Sequence, residues 1–456
     1  MKCPVCNKFS ILEREETTHC PHCKFDLEEY FEKAQAIEFL EIENLFGYLN
    51  YKIDYKTPDN VAIFIAPNGC GKTTIFNFLD FFFNPSPDSL KKIINIPVER
   101  FVCNLSKGTQ VVYENSKISH IQRMTINTKE KSVHFNIEAT KNIDDNFVYP
   151  RFKKLETKDN EQSSTKFEYI CQKISDLLTS TKTFVPLSYI STNRISSGKE
   201  QNQTLAMLVE DSEPISTPEQ CYLHSRKILM NMSYAYRRRL ESTTNSLPMK
   251  FLSTDQPQMS YSDFMKKWND YKETLKQYRE IGLLPPMHLK PELFNLKISE
   301  TDYNASKGVF LSVYITELIK PLNLLQPLYK KMKLFSEIFN ERNKITNKTI
   351  RFNAPDGISV LCNGKNLPLN CLSSGEKNDI VLFYKLIFAS EAGETILIDE
   401  PEISLHIEWQ ETFIDRLLEI CKLNKLNALV ATHSPYIINS HDNLLAKQEV
   451  QNGNKN

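Results

Sequence analysis

The sequence predicts an α/β protein made of two separated α/β segments, a helix-rich stretch between them and a short cysteine-bearing segment in front. Three observations carry this expectation. The apolar run Val61–Ile65 passes through a glycine turn, Ala66 to Thr74, into a helical pattern that begins at Lys72. Late in the chain, the apolar runs Thr395–Ile398 and Leu426–Ala431 flank a helical stretch near Glu408–Leu423. Between about 200 and 348 the pattern is helical: Phe264, Trp268, Tyr271, Leu275 and Tyr278 follow a 4-3-4-3 spacing, closed by Gly282, Pro285 and Pro286.

Bulk properties narrow the field. A chain of 456 residues suits two or three domains. Lys+Arg and Asp+Glu both total 56, so any nucleic-acid contact must come from a local patch rather than from net charge. The N-terminus Met1-Lys2-Cys3-Pro4 has no apolar core behind it. The most apolar run, Ile75–Phe83, is short and holds Asp80, whereas a span needs about 20 apolar residues. A soluble, cytoplasmic protein without membrane contact is expected. The 11 cysteines are odd in number and widely spread, which argues against a disulfide framework.

Taken in order, residues 1–30 form the cysteine segment and 31–200 a first α/β lobe. Strand runs are expected at Ala36–Leu40, Val61–Ile65, Gln110–Tyr113, Val133–Ile137 and Phe184–Ile190, with a helix from Lys72 to about Phe83. Residues 201–348 form the helical insertion, whose last helix, Val309 to about Asn343, is expected to be interrupted at Pro321 and Pro327. Residues 349–446 form a second lobe. There, Ile358–Cys362 followed by Asn363-Gly364 reads as a hairpin. The polar tail 447–456 is expected to be disordered.

The strand–turn–helix around Lys72 is the context a phosphate-binding loop requires. Backbone N–H groups of Asn68, Gly69, Cys70, Gly71 and Thr74 would face phosphate oxygens. Lys72 would supply positive charge, and the Thr73 hydroxyl a ligand for Mg²⁺. Ala66 stands where the usual pattern has its first glycine, which is tolerable if φ there is negative. The strand Thr395–Ile398 ends in Asp399-Glu400-Pro401-Glu402. Asp399 can hold Mg²⁺ and Glu400 can polarise an attacking water. Leu429–Ala431 runs into Thr432-His433-Ser434-Pro435, and His433 can bond a γ-phosphate or that water. A second turn, Leu372-Ser373-Ser374-Gly375-Glu376-Lys377, resembles a phosphate-binding turn entering a helix. Cys3-x-x-Cys6 and Cys20-x-x-Cys23, with 13 residues between the pairs, suit tetrahedral Zn²⁺ as Cys₄, with His19 or His22 as substitutes. Arg237-Arg238-Arg239 and Lys330-Lys331-Met332-Lys333 are charge runs that would track DNA or RNA if they share a surface. Arg194 is a candidate structural or phosphate contact.

Together these motifs resemble the ABC-type ATPase heads of the SMC, RecF and OLD group. The run Ile398 to His406 is closest to OLD-like and bacterial antiphage-defence ATPases of the Septu or PARIS type, and His406 stands where transporter ATPases have Asp. The resemblance covers about 35–84 and 350–440 and implies an ABC/SMC-like P-loop head with a helical insertion and a small zinc-ribbon-like segment. It makes the Lys72 loop Walker A, Ser373, Ser374, Gly375 and Glu376 the signature, Asp399 and Glu400 Walker B, and His433 the switch residue. Gln110 and Gln122 are the candidates for the Q-loop glutamine. It further implies ATP, Mg²⁺ and hydrolysis, and a head-to-tail dimer of the chain with itself. In that dimer each signature caps the ATP of the partner, with Ser374 and the backbone at Gly375 on the γ-phosphate and Glu376 and Lys377 toward solvent or the interface. The expected role is a regulator in antiphage defence that controls a separate nuclease or toxin, since OLD-type nucleases carry a further domain after the switch. Two alternatives are a DNA maintenance ATPase that clamps DNA directly and an ATP-bound scaffold with little turnover.

Overall fold

The computed structural model describes residues 34–115, 121–138, 160–191, 215–253, 258–285, 299–353 and 355–452. The chain divides into two compact units. Among the described residues, one holds those from 34 to 191 together with those from 390 to 452, and the other those from 215 to 389. The zinc candidates Cys3, Cys6, Cys20 and Cys23, as well as Arg194, lie outside the described residues.

The first unit opens with β1 (Ile37–Leu45) and β2 (Leu49–Asp54), an antiparallel pair joined at Phe46-Gly47-Tyr48. β3 (Val61–Ile65) leads through the glycine turn into α1 (Lys72–Phe83), as the sequence predicts. The short α2 (Pro87–Ile93) is capped by Ser86, and β4 (Arg100–Leu105), β5 (Gln110–Asn115), β6 (Ile121–Asn127) and β7 (Ser132–Glu138) continue the antiparallel sheet. α3 (Asn160–Ser180) and β8 (Leu187–Ile190) complete this half. α1 buries everything but a narrow polar stripe that includes Thr73, Asn77 and Asp80: Ile75, Phe76, Phe78, Leu79, Phe81 and Phe82 are fully enclosed. Its rings pack on the antiparallel sheet, with Phe78 stacked on Phe101 at 5.2 Å and Phe82 edge-on to it at 5.2 Å. The run Ile75–Phe83 is therefore a core helix.

The second unit is built on three helices: α4 (Pro218–Ser253), α5 (Tyr261–Glu280) and α6 (Gly308–Arg342). The heptad positions of α5 face inward, with Phe264 against Tyr303 at 5.0 Å and Tyr278 against Tyr329 at 4.8 Å. α5 stops at Gly282 (φ 85°), where an added Cβ would lie 1.7 Å from the Phe352 carbonyl oxygen. Contrary to expectation, α6 is one continuous helix through Pro321 and Pro327. Each proline removes a backbone bond, but the buried residues Ile315, Leu322, Leu325, Leu328 and Met332 pack on both sides of the gaps and hold one axis. α6 is also the one helix among the described residues long and apolar enough to cross a membrane by length and composition, and it runs with this buried face against its neighbours. β9 (Lys348–Asn353), β10 (Gly357–Cys362) and β11 (Lys365–Leu367) form a small antiparallel sheet, with Asn363 and Gly364 at positive φ in the β10–β11 turn. α7 (Ser374–Tyr384) follows. The signature turn thus belongs to the helical unit, not to a lobe spanning 349–446. The reason is packing: Phe335, Tyr384 and Phe388 form one aromatic cluster, and Arg342 pairs with Asp379 at 3.1 Å.

The chain then returns to the first unit with β12 (Thr395–Asp399), α8 (Ile407–Glu411), α9 (Phe413–Asn424), β13 (Asn427–Thr432), α10 (Pro435–Ile438) and β14 (Lys447–Asn452). The helix expected at Glu408–Leu423 is broken at Thr412 into α8 and α9. A four-stranded parallel sheet forms in the order β3-β13-β12-β8. The seven-stranded antiparallel sheet runs β14-β2-β1-β4-β5-β6-β7. Part of the tail expected to be disordered is ordered instead, since Lys447–Asn452 pairs along the whole of β2, from Lys447↔Asp54 to Asn452↔Leu49; residues 453–456 lie outside the described residues. A solvent-facing edge strand has no apolar face to declare it in sequence.

Candidate functional site

Parallel pairing aligns three strand ends. β3 ends at Ile65, β13 at Thr432 and β12 at Asp399, each beside its neighbour in register. Loops leaving the carboxyl ends of parallel strands share one edge, which is where α/β sheets bind ligands. The backbone ties them together: Ala66 N–H donates to Thr432 O at 3.3 Å and Glu400 N–H to Ala431 O at 2.8 Å.

The turn after β3 has Gly69 at φ 83° and Gly71 at φ 81°. An added Cβ at Gly71 would meet Leu45 Cδ2 at 2.7 Å, so the β1–β2 connection fixes the turn from below. Ala66 is not among the positive-φ residues, so its methyl group fits. Asn68 and Gly69 are exposed; Cys70 and Thr74 are half-buried. Cys70 is a free thiol whose carbonyl accepts a bond from Tyr51 OH at 2.6 Å. Lys72 is buried and its Nζ donates to Ala66 O (2.8 Å) and Pro67 O (3.1 Å), with Glu400 Oε1 3.6 Å away.

Thr73 Oγ1 donates to Asp399 Oδ2 at 2.7 Å, joining residues 326 positions apart. Tyr189 OH, from β8, donates to the same oxygen at 3.2 Å. Asp399 Oδ1 is buried and has no hydrogen-bond partner among the described residues. Burial pushes the Asp399 carboxyl above its ordinary value; the bonds from Thr73 and Tyr189 and the charge of Lys72 offset this in part, while Glu400 adds to it. A buried carboxylate oxygen without a donor, beside a threonine hydroxyl, fits a hard divalent cation such as Mg²⁺. Burial, and then the neighbouring Asp399, likewise push the Tyr189 phenol up, so it remains a donor.

Glu400 sits in the left-handed region (φ 45°, ψ 62°), an uncommon conformation for a non-glycine residue and one held here by its neighbours. Its Oε1 lies 3.8 Å from His433 Nδ1. His433 in turn places Nδ1 2.9 Å from Glu402 Oε1.

The structure thus brings Lys72, Thr73, Asp399, Glu400 and His433 together in one unit. The signature residues Ser373, Ser374, Gly375 and Glu376 lie in the other. Ser373 is the N-cap of α7 and its Oγ accepts from Glu376 N–H, while Glu376 Oε2 accepts from Ser373 N–H at 2.8 Å. Lys348 Nζ donates to Glu376 Oε1 at 2.6 Å. Within its own chain the Glu376 carboxylate is thus engaged by the cap and by Lys348. Ser374 is exposed at the first helical position. Of the Q-loop candidates, Gln110 bonds Asn104 and Asn127, and Gln122 is buried in β6. Tyr189, Glu402 and Gln410 were not foreseen from the sequence. A tyrosine in a strand run and an acid after Pro401 carry no local signal of their partners.

A family model described as AAA ATPase domain matches residues 36–438. No curated protein matches significantly. Among solved structures, similar chains include a Smc head bound to the C-winged helix domain of ScpA, 13% identical with a TM-score of 0.36 over 91% of this chain and 97% of that one. Another is a Smc head domain with a coiled coil and joint derived from Pyrococcus yayanosii, 12% identical with a TM-score of 0.32 over the same shares.

Proposed function

The chain belongs to the AAA ATPase domain family, and from that premise we propose that it is a dimeric switch that binds and hydrolyses ATP. The observation that carries this reading is the closure of the phosphate loop on the acidic strand end through Thr73 and Asp399, with Lys72 beside Glu400. The N–H groups of the glycine turn and Lys72 would hold the phosphates. Thr73 and Asp399 would hold Mg²⁺, which when bound offsets the negative charge of the β- and γ-phosphates. Glu400 accepts a proton from the attacking water, and His433 orients that water or the γ-phosphate. The exposed Ser374 at the start of α7 is suited to cap the γ-phosphate bound by a second copy.

Gain and loss of one phosphate then separates two states of the dimer. The resemblance of Ile398–His406 to antiviral ATPases supports a regulatory role in bacterial antiphage defence, with a separate nuclease or toxin as effector. Glu400→Gln is expected to keep ATP binding, to lower turnover about 10²-fold or more, and to accumulate a dimer in ATP by light scattering. Turnover at the wild-type rate would sink the assignment of Glu400. Purifying the same variant with ATP from its native cells, with identification of what accompanies it, tests the effector. ATP-stimulated, strongly salt-dependent DNA binding without a partner would favour a DNA clamp instead.

A further inference from the structure

Next to the proposed water-activating residues lies a buried carboxylate that this chemistry does not use. Glu402 follows Pro401 in a single 3-10 turn, and its side chain is only 6% exposed. Its Oε1 gathers three groups from the loop after β13. Thr432 Oγ1 donates to it at 2.7 Å, His433 N–H donates at 2.9 Å, and His433 Nδ1 lies 2.9 Å away. Thr432 Oγ1 itself accepts from Ser434 N–H at 3.0 Å. A second relay runs in parallel: Ser434 Oγ donates to Gln410 Oε1 at 2.7 Å, while Gln410 Nε2 donates to Leu405 O at 3.0 Å. Thr432, His433 and Ser434 are thus clamped to the segment after β12 by side chains 24 to 31 positions away in sequence.

We propose that Glu402 is a positioning residue that fixes both the place and the tautomer of His433. A carboxylate oxygen facing Nδ1 is an acceptor, so the neutral ring carries its proton on Nδ1 and leaves Nε2 as an acceptor. The third acid of the Asp399-Glu400-Pro401-Glu402 run, Glu402, then acts through the histidine, whereas Glu400 acts on the water. Free imidazole favours the proton on Nε2, so without Glu402 the ring reverts to the other tautomer and turns about a less defined χ angle. This inference rests on the reading of His433 as a catalytic residue.

The test uses the full chain with His433→Ala, Glu402→Ala, Glu402→Gln and the double variant Glu402→Ala/His433→Ala. ¹⁵N spectra of imidazole-labelled protein, with the His433 signals assigned by their loss in His433→Ala, are expected to show the Nδ1–H form in the wild type. The Nε2–H form is expected to predominate in Glu402→Ala, and Glu402→Gln, which keeps an acceptor oxygen, is expected to restore Nδ1–H. Turnover of Glu402→Ala is expected to fall about 10- to 100-fold, as for residues that orient a functional histidine, with KM for ATP changed less than about 3-fold. In the His433→Ala background the same substitution is expected to cost almost nothing more, since two residues acting as one unit are not additive. Multiplicative losses, or a wild-type Nε2–H tautomer, would overturn the proposal. Should Glu402→Ala fail to fold, the wild-type tautomer and the turnover and spectrum of Glu402→Gln still decide it. If His433→Ala alone turns over at the wild-type rate, the catalytic reading of His433 fails, and that result is distinct from a failure of the tautomer.

Discussion

Tyr189→Phe isolates one bond at the proposed Mg²⁺ site. The ring stays, with its edge-on contact to Phe76 at 6.2 Å, and only the hydroxyl that donates to Asp399 Oδ2 at 3.2 Å is lost. Hydrogen bonds to charged groups contribute about 1.5–3 kcal/mol. This one is longer than the 2.7 Å bond from Thr73, so the lower end applies. Losing that contribution should move the Asp399 carboxyl further up. The sign follows from the partner: a donor favours the ionised form, so its loss raises a group that burial already holds high. A cation must compete with that proton. The acid limb of Mg²⁺-dependent ATP binding should therefore shift to higher pH, measured by titrating a fluorescent ATP analogue against Mg²⁺ across pH. Nucleotide binding in EDTA should be unchanged. An unmoved acid limb, or the same shift in EDTA, would refute the role of Tyr189 and the placing of the cation at Asp399.

Three further outcomes are expected. Ser374→Arg should leave ATP binding by single chains intact and abolish ATP-dependent dimerisation and turnover, and unchanged ATPase activity would remove the trans-acting signature. Gly282→Ala should destabilise the helical unit by about 2–5 kcal/mol, from left-handed strain and overpacking against the Phe352 carbonyl; a urea midpoint equal to wild type would contradict the packing. Burial pushes the Glu317 carboxyl up, but hydrogen bonds from Lys250 and Lys320, both 2.6 Å, outweigh it and hold the group below its ordinary value. Its contribution to stability is thus present above the unfolded carboxylate pKa, about 4.3, and is lost as pH falls through the lower folded value. The gap in melting temperature between wild type and Glu317→Gln should close below about pH 4, and a gap constant with pH would show that the pair contributes no charge-dependent stability.

Local signals in the sequence located what depends on neighbours in sequence. Val61–Ile65, the glycine turn and Lys72–Phe83 appear in the structure at the predicted positions, because an apolar run, a φ-permissive turn and a helical pattern act within a few residues. Asp399, Glu400 and His433 were visible for the same reason, each lying at or just past the end of an apolar strand. Signals failed where packing overrules propensity. Pro321 and Pro327 read as breaks, yet core contacts along α6 hold one helix. Lys447–Asn452 reads as a polar tail, yet the open edge of β2 recruits it as a strand.

The sequence by itself determined the phosphate loop, the acids and histidine at the strand ends, and the α/β character of the chain, since these are set by short-range chemistry and pattern. Only the tertiary structure decided which groups meet. Parallel pairing of β3, β13 and β12 sets Thr73 on Asp399 across 326 residues, and pairing of β12 with β8 brings Tyr189 to the same carboxylate across 210. Parallel pairing also gives Glu402 to His433. Hydrogen bonds between distant segments depend on strand order and register, which no local pattern in the chain specifies.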